Sequence, residues 1–197
     1  MMSRTHVAIG IASSLAILQP TNVEEFVLSV VGGAAGGIVC DVDALKDDYQ
    51  NDALIGQIIG FVSLILLLVY YWLTNHNVIV QIIHNKISLI GLAVFVVMYI
   101  IGYFSKHRTI THSFLGMIAF CGSIYCICPK LIFSYVIGFA THLVLDLMNK
   151  REIYLLYPFG KGICFKLCYA GKTANTVLMY LGIVFSLGLS VYFLFIR

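Results

Sequence analysis

Charge is scarce in this chain and proline almost absent. Of 197 residues only 11% are charged and 3 are Pro, against about 25% charged residues in soluble domains. So few charges cannot solvate the surface of an ordinary soluble domain. The 12 Lys and Arg against 9 Asp and Glu leave a net charge of +3, too small and too dispersed for a nucleic-acid surface, and nucleic acid is excluded as a partner on that ground. The 6 Cys contain no CxxC pair. Cys40, Cys121, Cys126 and Cys128 fall within or at the ends of apolar stretches and read as buried thiols, and a lone Cys164-xxx-Cys168 is too sparse to argue a metal site.

Apolar residues make up 60% of the chain, with a mean hydropathy of +0.96. They fall into seven blocks, about Val7–Leu18, Phe26–Cys40, Ala53–Leu73, Ile87–Phe104, Phe114–Cys128, Leu131–Met148 and Thr176–Ile196. A helix crossing a bilayer needs about 20 apolar residues, so the third, fourth, sixth and seventh blocks are spans. The first, second and fifth are short, and are expected to be tilted, re-entrant or half-buried. The expected fold is all-α: a polytopic α-helical membrane protein with five to seven membrane helices, one domain over 1–197, its motifs within 4–160 and a C-terminal membrane helix over 176–197. No A-x-A site follows the first block before Gln19-Pro20, so that block is expected to stay in the mature protein. Thr21-Asn22 followed by Glu24 and Glu25 predicts a helix N-cap with an acidic first turn. The run GGAAGG, Gly32 to Gly37, predicts close approach between helix backbones.

If all seven blocks cross, the loops alternate between two faces. One face receives Arg4, Lys46, Lys106, Arg108, Lys150, Arg151, Lys161, Lys166 and Lys172; the other receives only Lys86, Lys130 and Arg197. The positive-inside rule makes the first face cytoplasmic. His6, Asp41, Asp43, His107, His112, His142 and Asp146 all map to that face, whereas His76 and His84 map to the other.

The spacings suit metal binding. His142 and Asp146, four apart on a helix, project from adjacent turns, and ionisable residues within a spanning segment are costly enough to point to function. Asp41 and Asp43 align if the chain is extended where the second block ends. His107 and His112 share the short turn HRTITHS, with Thr111 or Ser113 as N-cap of the next helix. Asp47, Asp48 and Asp52 continue the acidity and read as solvated. Imidazole with carboxylate favours a divalent metal, zinc first with Mn or Mg as alternatives. Seven candidate ligands exceed the three or four of one zinc site, so one or two ions are expected, with some groups in supporting roles. Hydrolysis by a metal-activated water is the economical chemistry.

In order and spacing these residues resemble the YdjM-like family of membrane-bound, metal-dependent hydrolases, some of whose bacterial members are LexA-regulated inner-membrane proteins. The family pattern has an N-terminal His, P-D-[IV]-D, H-R-G-x-T-H-S, and G-[YF]-x-x-H-x-x-x-D followed by a short apolar stretch ending in Pro. This chain has T-H-V-A-I-G (His6), C-D-V-D (Asp41, Asp43), H-R-T-I-T-H-S (His107, Arg108, His112) and G-F-A-T-H-L-V-L-D (His142, Asp146), with Pro158 closing Y-L-L-Y-P. Cys40 replaces the Pro and Thr109 the Gly, so the turns at those points are expected to differ. The resemblance implies a multi-pass protein of the bacterial inner membrane with a cytoplasm-facing site. The His/Asp set is also similar, more loosely, to zinc-dependent phospholipase C, which implies a phosphate-containing or lipid substrate and membrane lipids as partners.

On this reading His6, Asp41, His107, His112, His142 and Asp146 are metal ligands. Asp43 and Arg108 are the catalytic candidates, Asp43 as ligand or general base and Arg108 against developing negative charge. Arg4 is a second, weaker phosphate candidate. The alternatives are a metal-ion or proton transporter or channel, and a non-catalytic membrane protein whose metal staples its helices. The stretch Asn149–Thr176, with Lys161, Lys166 and Lys172 among Tyr154, Tyr157, Phe159 and Phe165, is expected along the membrane interface, as a lid over the site.

Overall fold

The computed structural model describes residues 1–46, 50–74, 80 and 84–196. Asp47, Asp48, His76 and Arg197 lie outside the described residues. Seven α-helices are described: α1 Ser3–Leu18, α2 Val23–Ile38, α3 Gln50–Leu73, α4 Lys86–Phe104, α5 Phe114–Ile127, α6 Ile132–Leu147 and α7 Thr173–Val191. No strand occurs among the described residues, only two isolated bridges. The all-α, polytopic expectation holds.

Among the described residues five helical units are long and apolar enough to cross a membrane: Val23–Lys46, Gln50–Leu73, Lys86–Phe104, Pro129–Leu147 and Thr173–Phe195. The second block is therefore not short. α2 runs directly into a three-ten segment, Val39–Lys46, and Cys40 stands inside it where a proline, lacking an N–H, favours a break. α1 and α5, with 16 and 14 residues, remain the short helices.

Helix starts follow local chemistry. The Asn22 side chain accepts from the Glu25 N–H while Glu25 reaches back to the Thr21 N–H, a reciprocal cap. Ser113 caps α5 by accepting from the Gly116 N–H; Thr111, the other candidate, is used in the site.

The helices alternate in direction. α1 packs antiparallel on α2, where an added Cβ at Gly33 meets the Gly10 carbonyl oxygen at 2.6 Å. α2 runs parallel to α6, and a Cβ at Gly36 meets the Tyr135 carbonyl oxygen at 2.1 Å. The GGAAGG run thus seats α2 between two backbones, as small residues do in lipid. α7 lies parallel to α1, tied by Ser186 Oγ to the Ala8 carbonyl. Outer faces of α3, α4 and α7 carry exposed Phe61, Ile90, Phe104, Val184 and Phe185, the surface that hydrocarbon covers. Cys40 and Cys121 are buried as expected, but Cys126 and Cys128 are only partly so, because α5 ends there at the rim.

This alternation gathers the starts of α1, α3, α5 and α7 and the ends of α2, α4 and α6 at one end of the bundle. His84 sits at the other end, beside the start of α4, with Nδ1 on the Val80 carbonyl.

Candidate metal centre

α1 begins with Met2 at its N-cap, which offers no side-chain cap. Its first N–H groups are satisfied from outside: Ser3 N–H donates to Asp52 and Met2 N–H to Asn175 Oδ1 at 2.9 Å. Asp52 also pairs with Arg4. The expectation of a solvated Asp52 is thereby corrected, since it is buried at the start of α3 and anchors α1. Arg4 faces this carboxylate and is not in the cluster. With α1 so held, His6 is completely buried one turn in.

Asp41 and Asp43 do not lie on an extended segment. They sit on the three-ten helix, where residues two apart point about a third of a turn away from one another, so each carboxylate meets different partners. Asp43 turns to the HRTITHS loop. Its Oδ1 lies 2.6 Å from His107 Nδ1, while its Oδ2 accepts from the Arg108 N–H at 3.0 Å and from the Thr111 hydroxyl, and lies 3.2 Å from His112 Nδ1. Asp41 turns inward. It accepts from the Ser3 hydroxyl and lies 3.7 Å from His112 Nε2 and 3.6 Å from His142 Nε2.

The loop needs one unusual backbone. Arg108 adopts φ 68, a left-handed conformation uncommon for a residue with a side chain. It is held by its N–H on Asp43 and by the Tyr154 N–H on its carbonyl at 3.1 Å. Thr109 itself has negative φ, so the left-handed position of this turn is Arg108 and not the residue that replaces the glycine.

His142 and Asp146 project from adjacent turns of α6, as their spacing predicts. His142 Nδ1 lies 2.7 Å from the Gly37 carbonyl oxygen, which only accepts, so this nitrogen carries the proton. Nε2 is left with its lone pair aimed into the cluster. His112 is fixed the same way, since the Thr111 hydroxyl donates to Asp43 and its oxygen is left to accept from Nδ1 at 3.0 Å. The two Nε2 atoms lie 3.1 Å apart. Two lone pairs facing at this distance require a proton or a cation between them. Burial alone lowers the His112 pKa, but Asp43, with Asp41 and Asp146, outweighs it and pushes the ring up to about 10.

Asp146 completes the set, 3.4 Å from His6 Nε2 and 3.5 Å from His112 Nε2. Arg108 reaches it with one guanidinium nitrogen at 3.1 Å and the Arg151 carbonyl with another at 3.1 Å, leaving its buried Nε without a hydrogen bond among the described residues. His6 stacks on His142 with ring centroids 3.8 Å apart, and neither of its buried nitrogens has a hydrogen-bond partner among the described residues.

These residues fit a metal. Donors bound at about 2.1 Å in a tetrahedron stand about 3.4 Å apart, and the inward-facing nitrogens and carboxylate oxygens are separated by 3.1 to 3.7 Å. Among the described residues three groups of donors within 4.8 Å can each hold an ion: Asp41, Asp43, His107 and His112; His6, Asp41 and His142; and His112, His142 and Asp146. They share Asp41, His112 and His142. All seven ligands expected from the sequence are therefore brought together. Ser3, Thr111 and Asp52 were not expected in supporting roles; only Thr111 carried a signal, its place inside HRTITHS.

Beside the cluster is a cavity of about 300 Å³, whose lining includes Asp41, His107, Arg108, Asn149, Lys150 and Arg151. The segment after α6 closes over this end of the bundle. Ile153 and Ile163 pair, and the Leu155 carbonyl accepts from the Phe114 N–H. Phe159, Phe165 and Leu167 point outward from it. Cys164 and Cys168 belong to this segment, and Cys168 Sγ packs on the Met1 sulfur away from the ligand groups.

A family model described as YdjM inner membrane protein matches residues 1–196 of the chain. No curated protein and no solved structure matches it.

Proposed function

We propose that this chain, which belongs to the YdjM inner membrane protein family, is a metal-dependent hydrolase acting at the cytoplasmic face on a phosphate-containing or lipid-associated substrate. The observation that carries the reading is the meeting of three imidazole Nε2 atoms with Asp41 and Asp146, at tetrahedral-edge separations, beside a cavity whose wall includes Arg108, Lys150 and Arg151. The cytoplasmic placement rests on the basic residues gathered at the same end.

His6, Asp41, His112, His142 and Asp146 would hold the ion, with His107 offering Nε2 at the margin. Asp41, the carboxylate shared by two of the groups, suits one ion or a bridged pair. The imidazole-rich set favours zinc, with manganese or magnesium as the alternatives. A bound ion supplies Lewis acidity that activates water and polarises a phosphoryl oxygen.

Asp43 has both oxygens engaged, so its role is to fix the rings of His107 and His112 by their Nδ1 atoms, as carboxylates beside metal-binding imidazoles do. Arg108 stands against Asp146 with its positive charge at the cavity wall, where it can bind a phosphoryl oxygen and stabilise charge that develops there. Lys150 and Arg151 draw an anion to the mouth. The transporter reading has less support, because transport sites lie near the bilayer midplane and these ligands crowd one end of the bundle.

The test is to purify the full chain in detergent, measure bound metals, and follow release of phosphate or headgroup from a phospholipid panel with and without chelator. Turnover that disappears with chelator and in His142→Ala supports the reading. Stoichiometric metal with no turnover on any member, before and after reconstitution, leaves the ion as a helix staple and overturns it; metal flux into vesicles without turnover overturns it in favour of transport.

A further inference from the structure

We infer that the crevice between α3 and α4 holds an acyl chain of the substrate, which makes that substrate a lipid carrying a phosphate group; this rests on the hydrolase reading above. α3 packs on α2 and α4 packs on α5, and a long furrow is left between them. Two apolar cavities lie in it, about 380 and 240 Å³, and both are lined by Leu64, Phe95 and Ile124, so they join end to end.

Length and lining set the occupant. Along α3 the furrow runs from Gln57 to Tyr71, about 21 Å at about 1.5 Å per residue, comparable with the roughly 15 Å depth of one leaflet's hydrocarbon. Its rim residues Phe61 and Val96 are exposed, so it opens sideways into the bilayer. A narrow apolar slot that opens to hydrocarbon takes an acyl chain.

Its position relative to the metal centre separates this chain from the lipid that coats any membrane helix. On α2 the furrow wall at Ile38 and Val39 leads within one turn to Asp41. On α3 the polar cavity at Asp52 and Ala53 gives way one turn on to Gln57, and a further turn on to Gly60, in the furrow. The two spaces therefore lie end to end on the same two elements. Polar groups mark the junction: Gln57 donates to the Ile38 carbonyl at 3.0 Å, and the Tyr99 hydroxyl donates to Gln57 Oε1 at 3.4 Å. A lipid with its phosphate at the cluster puts its ester region at this level and its chain beyond. Tyr135 also lines the furrow, and its buried hydroxyl has no hydrogen-bond partner among the described residues.

The experiment uses the full chain in vesicles containing phosphatidic acid with a photoreactive acyl chain. Labelled peptides are expected from α3 and α4 around Leu64 and Phe95. Val96→Trp fills the furrow from its rim and is expected to lower labelling there about tenfold, the loss when two methylenes are displaced from an apolar wall. Val97→Trp, on the outer face of α4, leaves labelling unchanged, and Leu64→Trp repeats the test from α3 should Val96→Trp not fold. Bound metal stays constant in all three. Val96→Trp is also expected to slow hydrolysis of long-chain phosphatidic acid and spare p-nitrophenyl phosphate, which has no chain. Labelling spread evenly over α3, α4 and α7 and indifferent to Val96→Trp overturns the inference, even with p-nitrophenyl phosphate still hydrolysed. Furrow-specific labelling in a protein that hydrolyses neither compound keeps the chain site as lipid binding and overturns both its role in a substrate and the hydrolase reading.

Discussion

The Nε2 atoms of His112 and His142 stand 3.1 Å apart, and each ring is turned to that position by a bond at its other nitrogen, to Thr111 and Asp43 in one case and to the Gly37 carbonyl in the other. The pair brings together the loop after α4 and the middle of the last turns of α6, which are 30 residues apart in sequence. Asp41 and Asp146 flank it.

Ligands and orienting groups should therefore separate by degree. Asp41→Asn and His142→Ala each remove an inward donor and are expected to abolish stoichiometric metal. Asp43→Asn keeps every inward donor and loosens two rings, for which a loss of about 10- to 100-fold in affinity is expected. Titration against a chromophoric chelator in detergent distinguishes these. Equal losses in all three would place Asp43 among the ligands.

The fixed approach of α2 to its neighbours predicts an asymmetric response to glycine substitution. A methyl group at Gly36 meets the Tyr135 carbonyl oxygen, backbone that cannot turn aside. Gly36→Ala is expected to destabilise by about 1–3 kcal/mol, the usual range for overpacking. Nothing lies within 4 Å of a Cβ at Gly188; Gly188→Ala gains helix propensity of about 1 kcal/mol. The unfolding midpoint in detergent should fall for the first and hold or rise for the second.

Asp52 gives a test of how α1 is held. It accepts from the Ser3 N–H and from Arg4, at a helix start whose own N-cap residue has no side-chain cap. Asp52→Ala is expected to destabilise by about 0.5–2 kcal/mol, the effect of losing a cap, and to speed amide exchange in the first turn of α1. Because His6 sits on the next turn, metal occupancy should fall too. Unchanged exchange at residues 3–6 would show that Asn175 on the Met2 N–H and Asp41 on the Ser3 hydroxyl hold the helix without Asp52.

How far sequence reached follows from which interactions are local. His142 and Asp146 were legible because four residues on a helix fix their relation before any packing. The alternation of the helices and the gathering of seven ligands at one end followed from block boundaries alone. Whether Asp41 and Asp43 align on an extended segment or diverge on a continuing helix is left open by C-D-V-D itself, since the three-ten continuation of α2 is decided by its contacts with α3, α4 and the HRTITHS loop. Asp52 was misread because its partners, Ser3 and Arg4, lie 48 or more residues away and carry no periodic signal.

Arg108 brings the backbone and the chemistry together. Its left-handed φ places the guanidinium between Asp146 Oδ2 and the Arg151 carbonyl, both at 3.1 Å, a bridge made by the planar fork of arginine that a single ammonium cannot reproduce. Arg108→Lys keeps the charge and the backbone demand, so a change in turnover isolates the fork. With a phosphate substrate, kcat is expected to fall about 10²–10³-fold, the range for loss of one preorganised donor to developing charge, with metal content unchanged. Arg108→Gly relieves the backbone but takes the buried partner from Asp146; it is expected to lower stability and to lose activity at least as far. If Arg108→Gly lowers bound metal as well, the guanidinium acts by holding Asp146 in place, and the fall in kcat then tracks occupancy and disappears when rates are expressed per bound ion.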